Sequence, residues 1–322
     1  MKKILSGVIA LLASLPLTAQ HQSAIIKTNS EREVIPEGIA INPTDGKIYV
    51  SSIALHKILE IEKNGKHKEL IKERQHGFLE GLGLKVDAKK QLVWALSNEK
   101  QGTDYVSMVH AFDIRTGAEK HKFVITDTTQ HLFNDLILHP NGSIYITDTY
   151  GASIYVIDAA RKDLKVLITD SLITYPNGIT NTPAGKVYIA TYSNGPVQLD
   201  VNTKGLKQLK GYSDSARAYN LDGLVYWNNS IIAVHNGEKT DKDNSIQQYW
   251  LNEAGDKIIK ETQLDKGNEF FHSPTTAALY EDKLYVLSNS HLRDYNNNNE
   301  SAKGISDKLS PVLVLVYDLK NK

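Results

Sequence analysis

Residues 36–52 read PEGIAINPTDGKIYVSS. A polar residue, Glu37, is followed by a glycine, a short apolar run, a turn rich in Pro, Asp and Gly, and a second apolar run. Alternating β-branched and aromatic residues between turn formers signal two strands joined in a hairpin. The layout recurs at 79–98 (LEGLGLKVDAKKQLVWALSN), 133–149 (FNDLILHPNGSIYITDT), 176–194 (PNGITNTPAGKVYIATYSN), 221–236 (LDGLVYWNNSIIAVHN) and 274–289 (PTTAALYEDKLYVLSN). Its leading polar residues are Glu37, Glu80, Asn134, Asn177, Asp222 and Thr275, roughly 45 residues apart.

Each unit continues with a third strand, and the first five with a fourth. Four antiparallel strands in about 45 residues are one propeller blade. The repeat therefore predicts an all-β fold, a six-bladed β-propeller of four-stranded antiparallel blades, as a single domain over 20–322. The sixth unit lacks a fourth strand, and Ala24–Lys27 stands spare before the first. Ring closure is expected through this N-terminal strand paired to Val312–Asp318, which leaves few edges open to aggregation. Asp294–Lys308, with four consecutive asparagines, reads as a long loop within blade six.

The flanking composition narrows the function. Lys+Arg and Asp+Glu both number 37, with no basic block, so a nucleic-acid partner is disfavoured. Lys2 and Lys3 precede a mostly apolar stretch, Ile4 to Leu17, and a small residue, Ala19. This is the layout of a secretory signal peptide over 1–19, and it predicts an exported protein, periplasmic or secreted. The stretch is short for a membrane span, so no stable membrane insertion is expected after cleavage; an uncleaved anchor is the alternative. There is no cysteine, which excludes disulfides, thiolate metal sites and a cysteine nucleophile.

The first strand of a blade lines the central channel. The six leading residues then form a ring near the axis, and every one carries an oxygen. Facing carboxylates repel one another and are desolvated. A hard divalent cation relieves both costs, and oxygen ligands suit Ca²⁺ better than zinc or copper. The alternative is a wet polar channel, or turn residues that happen to precede strands. Loops on the same face carry His56, Asn98, Asp148, Tyr150, Tyr192, His235, Asn236 and His291, joined by His131, Tyr175, Tyr219 and His272. Taken singly, each histidine reads first as structural or surface.

Pro36-Glu37-Gly38, Phe133-Asn134-Asp135, Pro176-Asn177-Gly178 and Leu221-Asp222-Gly223 occur in order at blade spacing. In these motifs the chain resembles the calcium-dependent propellers of the gluconolactonase, regucalcin and paraoxonase superfamily, which includes diisopropylfluorophosphatase. The resemblance covers nearly all of the chain after residue 20. It implies a catalytic metal held by Glu37, Asn177 and Asp222, with Asn134 as a fourth ligand or substrate contact, and hydrolysis of lactones or related esters. Sugar-lactone members carry an arginine where this chain has Leu132. Paraoxonases carry a histidine where it has Glu80.

The expected function is a Ca²⁺-dependent hydrolase (another divalent ion could serve) acting on a small-molecule lactone or ester, uncharged or apolar rather than acidic. The alternative is a non-catalytic exported propeller that binds a small molecule or protein through its metal face. A base must activate water. The candidates are Asp222, then Glu80, then His131 or His272. No Gly-x-Ser-x-Gly elbow or phosphate-binding glycine loop is present.

Overall fold

The computed structural model describes residues 22–211, 220–236 and 240–320. The expected signal segment 1–19 lies outside the described residues. Among the described residues, no helix is long and apolar enough to cross a membrane.

The strands sort into six four-stranded antiparallel sheets, each built from one sequence unit. Their first strands are Pro36–Ile41, Glu80–Asp87, Phe133–Leu138, Pro176–Asn181, Leu221–Trp227 and Ala277–Tyr280. Each touches the next in sequence, and the sixth returns to the first, so the sheets close into a six-bladed propeller. The closing strand is Ala24–Lys27, paired antiparallel to Leu313–Asp318 with Ala24 opposite Val316 and Lys27 opposite Leu313.

Alternation decides where the core sits. Each sheet is apolar on both faces, because each packs against a neighbour on either side. The buried apolar side chains accordingly form layers between blades. Between blades six and one, Ile39, Ile41, Ile48 and Val50 meet Tyr285, Leu287, Val314 and Val316. Between blades one and two, Tyr49 and Ile58 meet Leu84, Val93 and Phe112. With no disulfide to constrain the chain, these layers hold the ring.

A bulge recurs at the axis. In five blades the register between first and second strands shifts, at Pro36/Ile39, Gly81/Leu84, Phe133/Leu136, Pro176/Ile179 and Leu221/Leu224. A bulge leaves residues unpaired and re-aims their side chains. The skipped pairs begin with Glu37, Leu82, Asn134, Asn177 and Asp222. The ring position of blade two is therefore Leu82, not Glu80. Glu80 instead pairs with Asn98 at the start of its strand, two residues earlier and nearer the rim. Thr275 keeps its ring place but precedes its strand, and its Oγ1 donates to the Glu37 carbonyl at 3.2 Å.

The expected loop Asp294–Lys308 is partly helical. Leu292–Asn297 is a short α-helix and Lys303–Ile305 a 3-10 turn. The segment buries Tyr295, Ala302, Ile305 and Leu309 against Ile35, Ile53 and Leu82. That apolar contact fixes an otherwise polar segment over the end of the channel.

Candidate functional site

The Glu-Gly, Asn-Gly and Asp-Gly pairs sit inside strands rather than in turns. A Cβ on Gly38 would lie 2.1 Å from the Leu82 carbonyl oxygen, and one on Gly178 would lie 2.5 Å from the Asp222 carbonyl oxygen. Glycine is required because neighbouring first strands converge at the axis. Hydroxyls from second strands tie those strands together. Ser51 Oγ accepts from Gly38 N at 2.9 Å and donates to Leu82 O at 2.5 Å. Thr147 Oγ1 accepts from Asp135 N at 3.0 Å and donates to Asn177 O at 2.6 Å.

This scaffold holds Glu37, Asn134, Asn177 and Asp222 with less than a tenth of their surface exposed. All four line a narrow axial gap of 10 Å³, at the lower limit of the space one water needs. All four also line a 490 Å³ cup above it. They are the side chains common to both spaces.

The electrostatics of this floor are unbalanced. Burial pushes the Glu37 carboxyl well above its ordinary range, and the charges of Asp222 and Asp135 add to the shift. Burial likewise raises Asp222, although Asn236 Nδ2 donates to its Oδ2 at 3.1 Å. Glu37 Oε2 is buried without a hydrogen-bond partner. Below the ring, Asp135 pairs with Lys85 Nζ at 2.9 Å. One ammonium thus stands against three buried carboxylates. A hard cation coordinated by Glu37, Asp222 and the two carboxamides fits this donor set, because it satisfies the orphaned oxygen and the charge together. Burial, then Asp222 and Glu37, also hold the Tyr192 hydroxyl far above its usual range, so it stays a neutral donor.

Lys85 and Asp135 were not singled out from the sequence. Asp135 did carry a signal, since it stands where units one, two, four and five have glycine.

The cup wall contains Glu80, Leu82, Leu132, Tyr150, Tyr175 and Tyr295. Glu80 is raised to about 7, first by burial, then by the Glu300 and Glu99 carboxylates, against the Arg74 guanidinium. His56, Glu80 and Glu99 present ligand-type atoms within 4.8 Å of one another, a grouping that could hold a metal. Arg74 Nη2 already binds Glu99 Oε1 there at 2.6 Å.

The other candidate bases lie outside the cup lining. His131 Nδ1 donates to buried Asp148 Oδ2 at 2.6 Å. His272 stacks on His291 with ring centroids 5.1 Å apart, and its Nδ1 is 3.5 Å from Asp241. His235 turns into blade five, hydrogen-bonded to the Tyr249 hydroxyl at 2.8 Å. Tyr219 lies outside the described residues. Sequence reasoning missed Tyr295, Asn296 and Glu300, which the blade-six insertion brings to the cup. An asparagine-rich run carries no periodic signal that could have placed them.

Neither a protein-family model nor a curated protein matches the sequence. Solved structures do match. A gluconolactonase from Xanthomonas campestris superposes with a TM-score of 0.58 at 12% identity, over 88% of this chain and 85% of that one. Regucalcin from Agrobacterium tumefaciens, a calcium-binding protein, gives 0.57 at 16% identity over 94% and 96%. A PQQ-bound aldose sugar dehydrogenase from Streptomyces coelicolor gives 0.59 at 13% identity over 92% and 97%. The structural neighbours thus include the gluconolactonase and regucalcin propellers that the motifs resemble. At these identities the likeness is one of fold, and the same fold carries unlike chemistries.

Proposed function

We propose that this protein is a divalent-cation-dependent hydrolase of lactones or related esters, with Glu37, Asn134, Asn177 and Asp222 holding one Ca²⁺. The observation that carries the reading is that these four oxygen-bearing side chains are common to the axial gap and the cup. Any ligand in the cup rests on them. An all-oxygen donor set with two carboxylates favours Ca²⁺ over softer metals, and other divalent ions remain compatible.

The chemistry a hard cation supplies at such a floor is polarisation of a carbonyl oxygen. The chain supplies the rest. Asn134 and Asn177 offer carboxamides that orient a polar group on the floor. Tyr192 keeps its proton and stands beside Asn177, 3.4 Å from Nδ2. Glu80 faces the same space with a pKa of about 7, matched to taking a proton from water near neutrality. Asp222 is buried among polar partners and committed to the floor, so Glu80 is the stronger candidate base. His131 spends its Nδ1 on Asp148. The insertion covers one side of the cup with Tyr295 and limits water there. Ile53, Leu82, Leu132 and Leu292 give the cup an apolar wall, suited to a substrate with an apolar body and no acidic group.

The test is a lactone and ester panel assayed with Ca²⁺ and with chelator, alongside elemental analysis of the purified protein. Hydrolysis lost on chelation and restored by Ca²⁺ is expected, with one metal per chain. Metal-loaded protein that turns over no lactone or ester would leave a binding module as the better reading. Export from the cytoplasm is proposed from Lys2, Lys3 and the apolar run before Ala19. N-terminal sequencing of the mature protein tests it, and a retained Met1 would count against it.

A further inference from the structure

The blade-six insertion carries Glu300 to the cup beside Tyr295, Asn296 and the blade-two residue Glu80. Neither the Glu80 nor the Glu300 carboxylate has a hydrogen-bond or ion-pair partner among the described residues, whereas nearby Glu99 is held by Arg74 at 2.6 Å and by Gln101 Nε2 at 2.9 Å. His56, also adjacent, is lowered in pKa by burial and then by Arg74, so it adds no charge at neutral pH. Four tyrosines, 150, 175, 192 and 295, line the same space. These side chains surround a 490 Å³ space whose floor is Glu37, Asn134, Asn177 and Asp222.

Unpaired carboxylates among aromatic faces are the chemistry that recognises an organic cation. The ring quadrupoles attract an ammonium group, and the carboxylates add an attractive field, moderated by solvent at exposed Glu300. We infer that Glu300 is a specificity-determining residue, and that the preferred substrate is an ester or lactone bearing an ammonium group, seated between Glu300 and Tyr295. Glu80, near Glu300, adds to the negative potential when ionised and remains available to water. The inference rests on the hydrolase reading for the reacting bond, but not for recognition of the cation. It narrows the non-acidic substrate proposed above to one of positive charge.

The test uses two pairs matched in shape and differing in permanent charge. For turnover the pair is acetylcholine and its neutral isostere 3,3-dimethylbutyl acetate. For binding without chemistry it is choline and 3,3-dimethylbutanol, titrated calorimetrically into Ca²⁺-loaded protein. The charged member of each pair is expected to be favoured by about tenfold or more, the scale of a partly desolvated cation–π and carboxylate contact. Glu300→Gln, an exposed position that folding should tolerate, is expected to erase that preference, read as the ratio of charged to neutral member within each pair. Equal handling of both members, or a preference that survives in Glu300→Gln, overturns the inference. If neither ester is hydrolysed yet choline binds better than dimethylbutanol in a Glu300-dependent way, the hydrolase reading fails and the cation site stands.

Discussion

Replacing Glu80 by Gln preserves shape and removes basicity. If Glu80 is the base, the catalytic rate should fall on the order of a hundredfold or more while one Ca²⁺ per chain is retained. An unchanged rate would return the role to Asp222. The buried carboxylates also set a dependence of stability on pH. Glu37, Asp222 and Glu80 all have folded pKa values above their ordinary ones, so the folded chain binds protons more tightly than the unfolded chain. Stability contributed by these protons is fully present below about pH 4 and is lost as the pH rises toward and past 7. In chelator, the melting temperature should therefore be higher at pH 5.5 than at pH 8. Saturating Ca²⁺ should flatten or invert that slope, because the ionised carboxylates are then paired. A metal-free protein that melts higher at pH 8 would remove the charge imbalance from the account. At this scale the repeat placed Glu37, Asn134, Asn177 and Asp222 in the axial ring, and the family resemblance singled out these four. The repeat put Glu80 in the blade-two ring place that Leu82 holds, because the two lie on one strand face and a shift of two leaves the alternation intact.

The bulged first strand is the element that builds the site. Its glycines are sites of close backbone approach, so Gly178→Ala drives a methyl into the Asp222 carbonyl and the Leu224 amide, both at 2.5 Å. Neither backbone atom can yield without moving blade five. The substitution is expected to destabilise the fold by about 1–3 kcal/mol. It should also weaken Ca²⁺ binding, because Asn177 and Asp222 separate. Calorimetric unfolding and a Ca²⁺ titration read the two effects, and a variant with native melting and affinity would contradict the close-approach argument. The Asn-Gly and Asp-Gly pairs were legible as motifs, but their local meaning is ambiguous between turn and strand. Only pairing to the second strand shows a bulge. The insertion was less legible still. Tyr295, Ala302, Ile305 and Leu309 stand at helical intervals, but the asparagine run and Gly304 between them obscure that signal, and they are buried because Ile35, Ile53 and Leu82 of other blades are there to receive them.

For the whole molecule, closure is the weakest joint, because a single strand of four residues completes blade six. Deleting residues 24–27 exposes the edge of Leu313–Asp318 and opens the layer that contains Ile26, Val314 and Val316. The truncated chain is expected to melt several degrees lower and to aggregate through that edge. Light scattering and thermal unfolding check this, and a monomeric truncation of native stability would show that the ring closes without the strand. The sequence by itself determined the blade count, the strand order, the closing strand and five of the six ring positions, Glu37, Asn134, Asn177, Asp222 and Thr275. Each is written in local alternation and in the spacing of a repeat, and both survive reading along one dimension. The tertiary structure alone decided that Leu82 holds the second ring position, that Lys85 neutralises Asp135, that the candidate histidines 131 and 272 lie outside the cup, and that Glu300 reaches it. These depend on register and on contacts between segments far apart in the chain. Strand pairing and inter-blade packing fix them only once the ring has closed.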